Sequence, residues 1–350
     1  MSLTLHVDEQ RWRANLAKVA GLANVPGRGG VVPVAKGNGY GFGLAHLAEE
    51  ANSLRVDGLG VDTLAVGTYD ELDAVADFDG DVVVLNPWRP TVGHEVARPQ
   101  AERVIHTVGR LVDLEQVQGR VLLEQLTSMK RHGFSATELK QAANLARDRG
   151  LQVEGVSIHL PLGGGYAEAE RLVLDAIAAG LHHTVWVSHL SAAELTKLRE
   201  RHADITFRPR IGTELWLGDR GALSVSATVL DVHPIKRGEP FGYRGRKATR
   251  NGWIVIASGG TAHGIGLSAP TSISGARDRA ATLAKGGLEA SGRLRSPYWL
   301  GGQQLRFAEP PHMQSSMLFL AGSDQPVAVG DELTARVRYT TTSFDGISFD

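Results

Sequence analysis

The sequence predicts an α/β fold, a (β/α)8 TIM-type barrel followed by a β-rich C-terminal domain. Three observations carry this. Short runs rich in Val, Ile and Leu recur eight times between residues 31 and 212. Several are followed by stretches with the 3.6-residue period of a helix. After Gly212 the pattern changes to the two-residue alternation of antiparallel strands, punctuated by Gly, Pro and Asp.

Taken in order, the eight candidate strands cover residues 31–36, 63–67, 81–86, 103–107, 120–125, 152–159, 184–189 and 204–212. Helical spacing is clearest over 43–53, 69–76, 136–149, 167–179 and 191–201, and weaker near 91–97. Eight strands alternating with helices over about 200 residues suit a closed barrel better than an open doubly wound sheet. Downstream, 222–232, 253–258 and 327–339 alternate as strands, and a helical insert is expected over 274–290. The expected division is therefore 10–220 for the barrel and 221–350 for the β-rich domain, with residues 1–9 adding a strand to the latter.

Composition narrows the function classes. With 37 basic and 38 acidic residues the formal charge is −1, which carries no electrostatic footprint for nucleic acid or an anionic membrane. The absence of cysteine removes disulfides and thiolate metal sites. The N-terminus lacks a basic segment followed by an apolar core, and no apolar run approaches the roughly 20 residues of a membrane span, so a cytoplasmic protein is expected. His182, His183 and His189 have no acidic partner at ligand spacing, and no metal is expected.

The most informative stretch is Val31-Val-Pro-Val-Ala-Lys36-Gly-Asn-Gly-Tyr40-Gly-Phe-Gly43. A buried strand delivers one lysine to its end, where desolvation lowers an amine's pKa, as carbonyl chemistry requires. The glycine-rich turn that follows exposes backbone N–H groups, which suits a phosphate. A carbonyl-reactive lysine beside a phosphate cradle is what pyridoxal 5'-phosphate needs. Arg131, His159, Ser191 and Arg210 also fall at or just past strand ends, where barrel enzymes carry their functional groups.

The stretch resembles the pyridoxal-lysine motif of the alanine racemase family, Val-Lys-Ala-Asn-Ala-Tyr-Gly-His-Gly, with Lys36, Asn38, Tyr40, Gly41 and Gly43 in register. The resemblance continues through Met129-Lys-Arg131-His-Gly-Phe134, Val153-Glu-Gly-Val-Ser-Ile-His159, Ser188-His-Leu-Ser191-Ala-Ala and Arg210-Ile-Gly212-Thr213. It implies pyridoxal phosphate on Lys36 as the Schiff-base lysine, which also serves as base on one face of the substrate Cα. It implies Tyr40, Ser191, Gly212 and Thr213 near the phosphate, Arg131 on the phenolic oxygen, and Arg210 on the pyridine nitrogen. His159 would stand behind these groups, and Glu124 would replace a carbamylated lysine that orients Arg131. Arg131 and Met313 would meet the substrate. An amino-acid racemase is implied, acting on a small amino acid as a homodimer in which each site combines the barrel of one subunit and the β-domain of the other. Arg210 argues against the related barrel decarboxylases, which place an acid near that nitrogen.

Departures cluster in the β-rich domain. The family's second base is a tyrosine in Gly-Tyr-Ala-Asp-Gly; here the segment is Gly260-Thr261-Ala262-His263-Gly264. A threonine hydroxyl is far too weak an acid to replace a phenol. The family's Cys-Met-Asp reads His312-Met313-Gln314, and Phe344 stands where a tyrosine is usual. Three readings stay open. His263 replaces the tyrosine, being two residues from Thr261 in a segment expected to be extended. Lys36 works alone, giving one-base α-proton exchange or a lyase. Or the chain is a non-catalytic pyridoxal-phosphate-binding regulator.

Overall fold

The structure, a computed structural model, describes residues 2–24, 30–91, 102–267, 295–322, 325 and 327–350. The helical insert expected over 274–290, and all but the first residue of the helix expected near 91–97, lie outside the described residues. Two compact units divide the chain, Arg13–Asp219 and Met1–Trp12 with Arg220–Asp350.

In the first unit eight parallel strands form one sheet in the order β2-β9-β8-β7-β6-β5-β4-β3. They are β2 (Val32–Pro33), β3 (Thr63–Val66), β4 (Asp81–Val84), β5 (Val104–Val108), β6 (Arg120–Gln125), β7 (Gln152–His159), β8 (Thr184–Ser188) and β9 (Thr206–Ile211). A parallel bridge between Val34 and Ala65 joins the two outer strands, so the sheet closes into the expected barrel. Val32, Val34, Ala65, Val83, Ile105, Leu122 and Trp186 fill its interior, contributed by six strand segments in turn. At the entry end, Arg120 ties three strands by donating at 2.7 Å to both Asp81 and Glu154. The register of β6 against β7 slips between Val121 and Leu122. Gly155 permits this: its φ is +139°, and a Cβ there would lie 2.4 Å from the Thr184 carbonyl oxygen.

The outer helices are α2 (Leu44–Val56), the short α3 (Leu111–Leu114), α4 (Ala136–Asp148), α5 (Tyr166–Ala178), α6 (Ala192–Arg201) and α7 (Thr213–Leu217), with α1 (Glu9–Ala23) preceding β2. Ser135 and Ser191 cap α4 and α6, each in a reciprocal box with the glutamate three residues on, Glu138 and Glu194. The helix expected over 69–76 is instead two 3-10 turns, Tyr69–Glu71 and Asp73–Val75. The cause is Glu71, whose carboxylate folds back to accept from the N–H groups of Gly67 and Thr68, holding the segment in tight turns. Helix α1 was not anticipated, although Trp12, Leu16, Val19 and Ala20 recur at helical spacing and are all buried.

In the second unit the strands are antiparallel except for the outermost pair. The 13-residue β10 (Leu223–Ile235) is the spine. It pairs with β1 (Leu3–Val7), β17 (Glu332–Ala335) and β13 (Gly252–Ser258). The first residues thus do supply a strand, Leu3 lying opposite Ala227, and β18 (Gly346–Phe349) adds to its other edge in parallel. The meander is completed by β14 (Arg295–Leu300), β15 (Gln303–Phe307) and β16 (Ser315–Ala321), with a small hairpin of β11 (Pro240–Phe241) and β12 (Arg246–Lys247). The strand expected over 327–339 shrinks to the four residues of β17.

Candidate active site

Because the barrel strands are all parallel, every residue at a strand's C-terminal end lies at one mouth. Lys36 follows β2, Arg131 follows β6, His159 ends β7, Ser191 follows β8, Arg210 sits in β9, and Gly212 and Thr213 lead into α7. Among the described residues, the non-glycine residues with positive φ are Tyr40, Lys130 and His189, all in loops of this mouth. Backbone strain gathered at one end of a barrel marks where the fold is shaped by more than packing.

Lys36 is accessible to solvent, yet protein around its amine strips away part of its hydration. That burial, then the charges of Arg131 and Arg210, lowers its pKa, and Glu71 opposes them. A lysine with three influences favouring its neutral form is a better nucleophile. Glu71 does more than supply charge. It accepts from the Gly37 N–H at 2.7 Å and the Gly67 N–H at 2.6 Å, tying the Lys36 loop to the loop after β3.

Beneath the mouth lies a buried charged layer. Glu124 on β6 and Ser157 on β7 are register partners, and the Ser157 hydroxyl donates to the Glu124 carboxylate at 2.5 Å. Burial pushes the Glu124 carboxyl up, opposed first by Arg210 and least by Arg131. Arg210, itself buried, donates to the Ile158 carbonyl at 3.4 Å, and its Nε has no partner among the described residues. Glu124 was expected to orient Arg131; the charge of Arg210 acts on it more strongly than that of Arg131, and among the described residues no ion pair joins it to either arginine. The Arg131 Nε donates instead to His132 at 3.1 Å. His159 is held to a pKa of about 3 by burial, then by Arg210 and Arg131, so its ring stays neutral. It packs against His189, ring centres 4.9 Å apart.

Tyr40 and Gly212 meet at the other side of the mouth. The Tyr40 phenol is buried, which pushes its pKa up to about 12, and its hydroxyl has no hydrogen-bond partner among the described residues. A Cβ on Gly212 would lie 2.0 Å from that hydroxyl, so only glycine permits the approach. Ser191 behaves differently from expectation: its hydroxyl donates to Glu194 at 2.7 Å and its N–H to the same oxygen at 2.9 Å. A cavity of about 520 Å³ adjoins the mouth at Ser191, Arg210 and Ile211, but Lys36 and Tyr40 do not line it.

The remaining candidates lie in the second unit. The extended segment expected around His263 is corrected by the structure. Thr261–His263 form a 3-10 turn rather than an extended segment, so the two side chains do not point the same way. His263 is buried, its Nδ1 accepting from the Gly260 N–H at 3.2 Å and its Nε2 donating to Asp345 at 3.0 Å. With both ring nitrogens engaged it is a structural clamp. Met313 is exposed and pairs through its backbone with the Thr261 turn, Ala262 N–H to Met313 oxygen, 3.0 Å.

Sequence reasoning missed Glu71, Ser157 and His132. Ser157 was within reach, since it shares a strand face with His159. The roles of Glu71 and His132 depend on loop paths that spacing does not encode.

The sequence pattern described as "Alanine racemase, N-terminal domain" matches residues 7–217. The alanine racemase of Nitratidesulfovibrio vulgaris (strain DP4) is 30% identical over 284 residues, covering 71% of this chain and 71% of that protein. That of Campylobacter concisus (strain 13826) is 26% identical over 284 residues, covering 75% and 79%. Among solved structures, alanine racemase from E. faecalis aligns with a TM-score of 0.67 at 19% identity, covering 99% of this chain and 98% of that one. The Bartonella henselae enzyme "with covalently bound pyridoxal phosphate" aligns with a TM-score of 0.65 at 17% identity, covering 97% and 91%. The matched pattern extends over more than half of the chain and spans the whole lysine-bearing barrel, and on that ground the chain belongs to the alanine racemase family.

Proposed function

We propose that the chain is a pyridoxal-phosphate-dependent amino-acid racemase acting on a small amino acid. The observation that carries this is the convergence of Lys36, Arg131, Arg210 and the Tyr40 hydroxyl at one barrel mouth. These groups fit the cofactor. Three cations suit an anionic phosphate and a phenolic oxygen, and the close approach of Tyr40 to Gly212 sets a phenol donor beside the Gly212 backbone.

Bound there, pyridoxal phosphate supplies the electron sink that makes a substrate Cα–H acidic. Lys36 holds the cofactor and moves a proton at Cα on one face. Arg210 would face the pyridine nitrogen as a permanent donor that cannot accept a hydrogen bond, which would keep that nitrogen unprotonated and the sink weak, as suits racemisation. The charges of Glu124 and Arg210 act on each other, and neutral His159, within reach of the charges of Arg210, Arg131 and Lys36, adds none of its own. Tyr40 and the N–H groups at Gly212 and Thr213 take the phosphate. Arg131 takes the phenolic oxygen and meets the substrate. Ser191 is assigned to capping α6, because Glu194 holds its proton. The working form is a homodimer in the cytoplasm.

A second reading, one-face exchange by Lys36 alone, is favoured by Thr261 and by the engagement of both His263 nitrogens. One experiment separates the readings. The cofactor-loaded protein is incubated in D2O with each enantiomer of alanine, serine and a panel of other amino acids. Deuterium at Cα with inversion establishes the racemase. Exchange with retention establishes the second reading, and neither result across the panel refutes both.

A further inference from the structure

We propose that Glu71 is the positioning residue for the Lys36 amine, its carboxylate fastening the lysine-bearing loop to the loop after β3 while keeping a negative charge beside the lysine. This rests on the reading above, in which Lys36 holds the cofactor and moves a proton at Cα.

The barrel closes on a thin seam. β2 is two residues long, and one of them, Pro33, has no N–H to donate. Beyond it, β3 is met by the Val34–Ala65 bridge and by one bond from the Ala35 N–H to the Ala65 oxygen, 2.8 Å. Lys36 comes next, and the chain leaves it through Gly37, Gly39, Tyr40, Gly41 and Gly43, all at positive φ. A loop built on glycines has little stiffness of its own. Glu71 carries the seam on where the backbone ladder stops. One carboxylate oxygen accepts from the Gly37 N–H at 2.7 Å, and the other from the Gly67 N–H at 2.6 Å and the Thr68 N–H at 3.2 Å. A Cβ on Gly67 would lie 3.1 Å from Glu71 Oε2 and 3.2 Å from Lys36 Cβ, so the carboxylate and the root of the lysine side chain border the same point.

The charges at the mouth divide in the same way. Burial, Arg131 and Arg210 favour the neutral amine of Lys36, Glu71 favours the ammonium, and the neighbouring His159 is neutral. The charge of Glu124 acts instead on Arg210. Both Glu71 oxygens are engaged by backbone N–H groups, and among the described residues Glu71 forms no ion pair with the amine. Its charge therefore reaches Lys36 while the amine stays free to react. A lysine that takes a proton from Cα in one direction and returns it in the other needs both of its forms within reach of the working pH. Without Glu71, three influences push Lys36 towards the neutral form and none opposes them.

The test compares full-length wild type, Glu71→Gln and Glu71→Asp. Glu71→Gln removes the charge and keeps the length of the side chain; Glu71→Asp keeps the charge and is one methylene too short for the bridge. Before cofactor is added, acetylation of Lys36 by trace acetic anhydride is followed by peptide mass spectrometry. At about pH 7 the lysine of Glu71→Gln is expected to react about 3-fold or more faster than wild type, a gain that closes by about pH 10. Glu71→Asp is expected to keep the wild-type pH dependence. Its affinity for pyridoxal phosphate, from absorbance titration, is expected to fall by about 10-fold or more, because the loop that carries the lysine is released. Equal acetylation of Glu71→Gln and wild type at about pH 7 overturns the proposal, as does a rate change that persists at about pH 10. Binding of pyridoxal phosphate by Glu71→Asp within about threefold of wild type also overturns it. So does an equal loss of affinity in both variants with a lower melting temperature and unchanged acetylation, which marks a residue that only holds the fold. Failure of wild type to bind pyridoxal phosphate overturns the reading of Lys36 as the cofactor lysine; acetylation, which needs no cofactor, then supports or overturns the proposal alone.

Discussion

Replacing Glu124 by glutamine removes one negative charge from the layer beneath the mouth while keeping a side chain of the same size. Glu124 is 3% exposed and Arg210 is 6% exposed. Arg210 has one long hydrogen bond, to Ile158, and an unpartnered Nε, and Glu124 is the neighbouring charge that opposes the desolvation of its guanidinium. A guanidinium does not shed its proton, and an uncompensated buried charge costs about 3–5 kcal/mol. For a domain of this size each kcal/mol moves the midpoint by about 2–4 °C, so the barrel should melt about 6–20 °C lower. Burial raises the Glu124 carboxyl, and that sets the refuting result. If Glu124 were already neutral in the fold, glutamine would mimic it. The assay is thermal unfolding followed by fluorescence at pH 7, with Ser157→Ala as the control for the 2.5 Å hydrogen bond. A loss under about 1 kcal/mol would mean that the charge of Arg210 is balanced elsewhere.

Gly212→Ala should place a methyl 2.0 Å from the Tyr40 hydroxyl and 2.8 Å from its ring, displacing the phenol. The expected cost is about 1–3 kcal/mol of stability. Loss of a donor to the phosphate should weaken cofactor binding by about 10- to 100-fold, measured by absorbance titration. His159 gives a pH signature. Its folded-state pKa, about 3, lies below the ordinary 6.5, so above pH 6.5 both folded and unfolded states hold it neutral. Between pH 6.5 and 3 only the unfolded chain takes the proton, and stability falls as pH falls, by at most about 1.4 kcal/mol per unit. The ring is half-buried, so solvent screening makes the slope smaller. His159→Gln should flatten urea midpoints between pH 7.5 and 5 relative to wild type, and parallel curves would contradict the assignment.

The barrel was legible because several strands are compact runs of branched apolar residues ended by a polar or glycine break, as in Val121–Leu123 after Arg120. Lys36, Arg131, His159 and Arg210 were legible with it, since a parallel closed sheet brings all strand ends together. What stayed hidden depends on geometry between strands and loops. Glu124 facing Ser157 requires the register that the Gly155 bulge sets. The turns at 69–75 follow from Glu71 folding back on Gly67, which spacing does not reveal. In the second unit, Ser315–Ala321 is an apolar run without strict alternation, and β14 begins only after a long connection. The inference drawn from alternation at 261–263 failed because a glycine-flanked 3-10 turn replaced a strand.

The most direct test of the central claim is to load the protein with pyridoxal phosphate, reduce it with borohydride and locate the attached group by peptide mass spectrometry. A phosphopyridoxyl group on Lys36, absent from Lys36→Ala, is the expected result. Label on a different lysine, or none at all, would contradict the assignment of the barrel mouth.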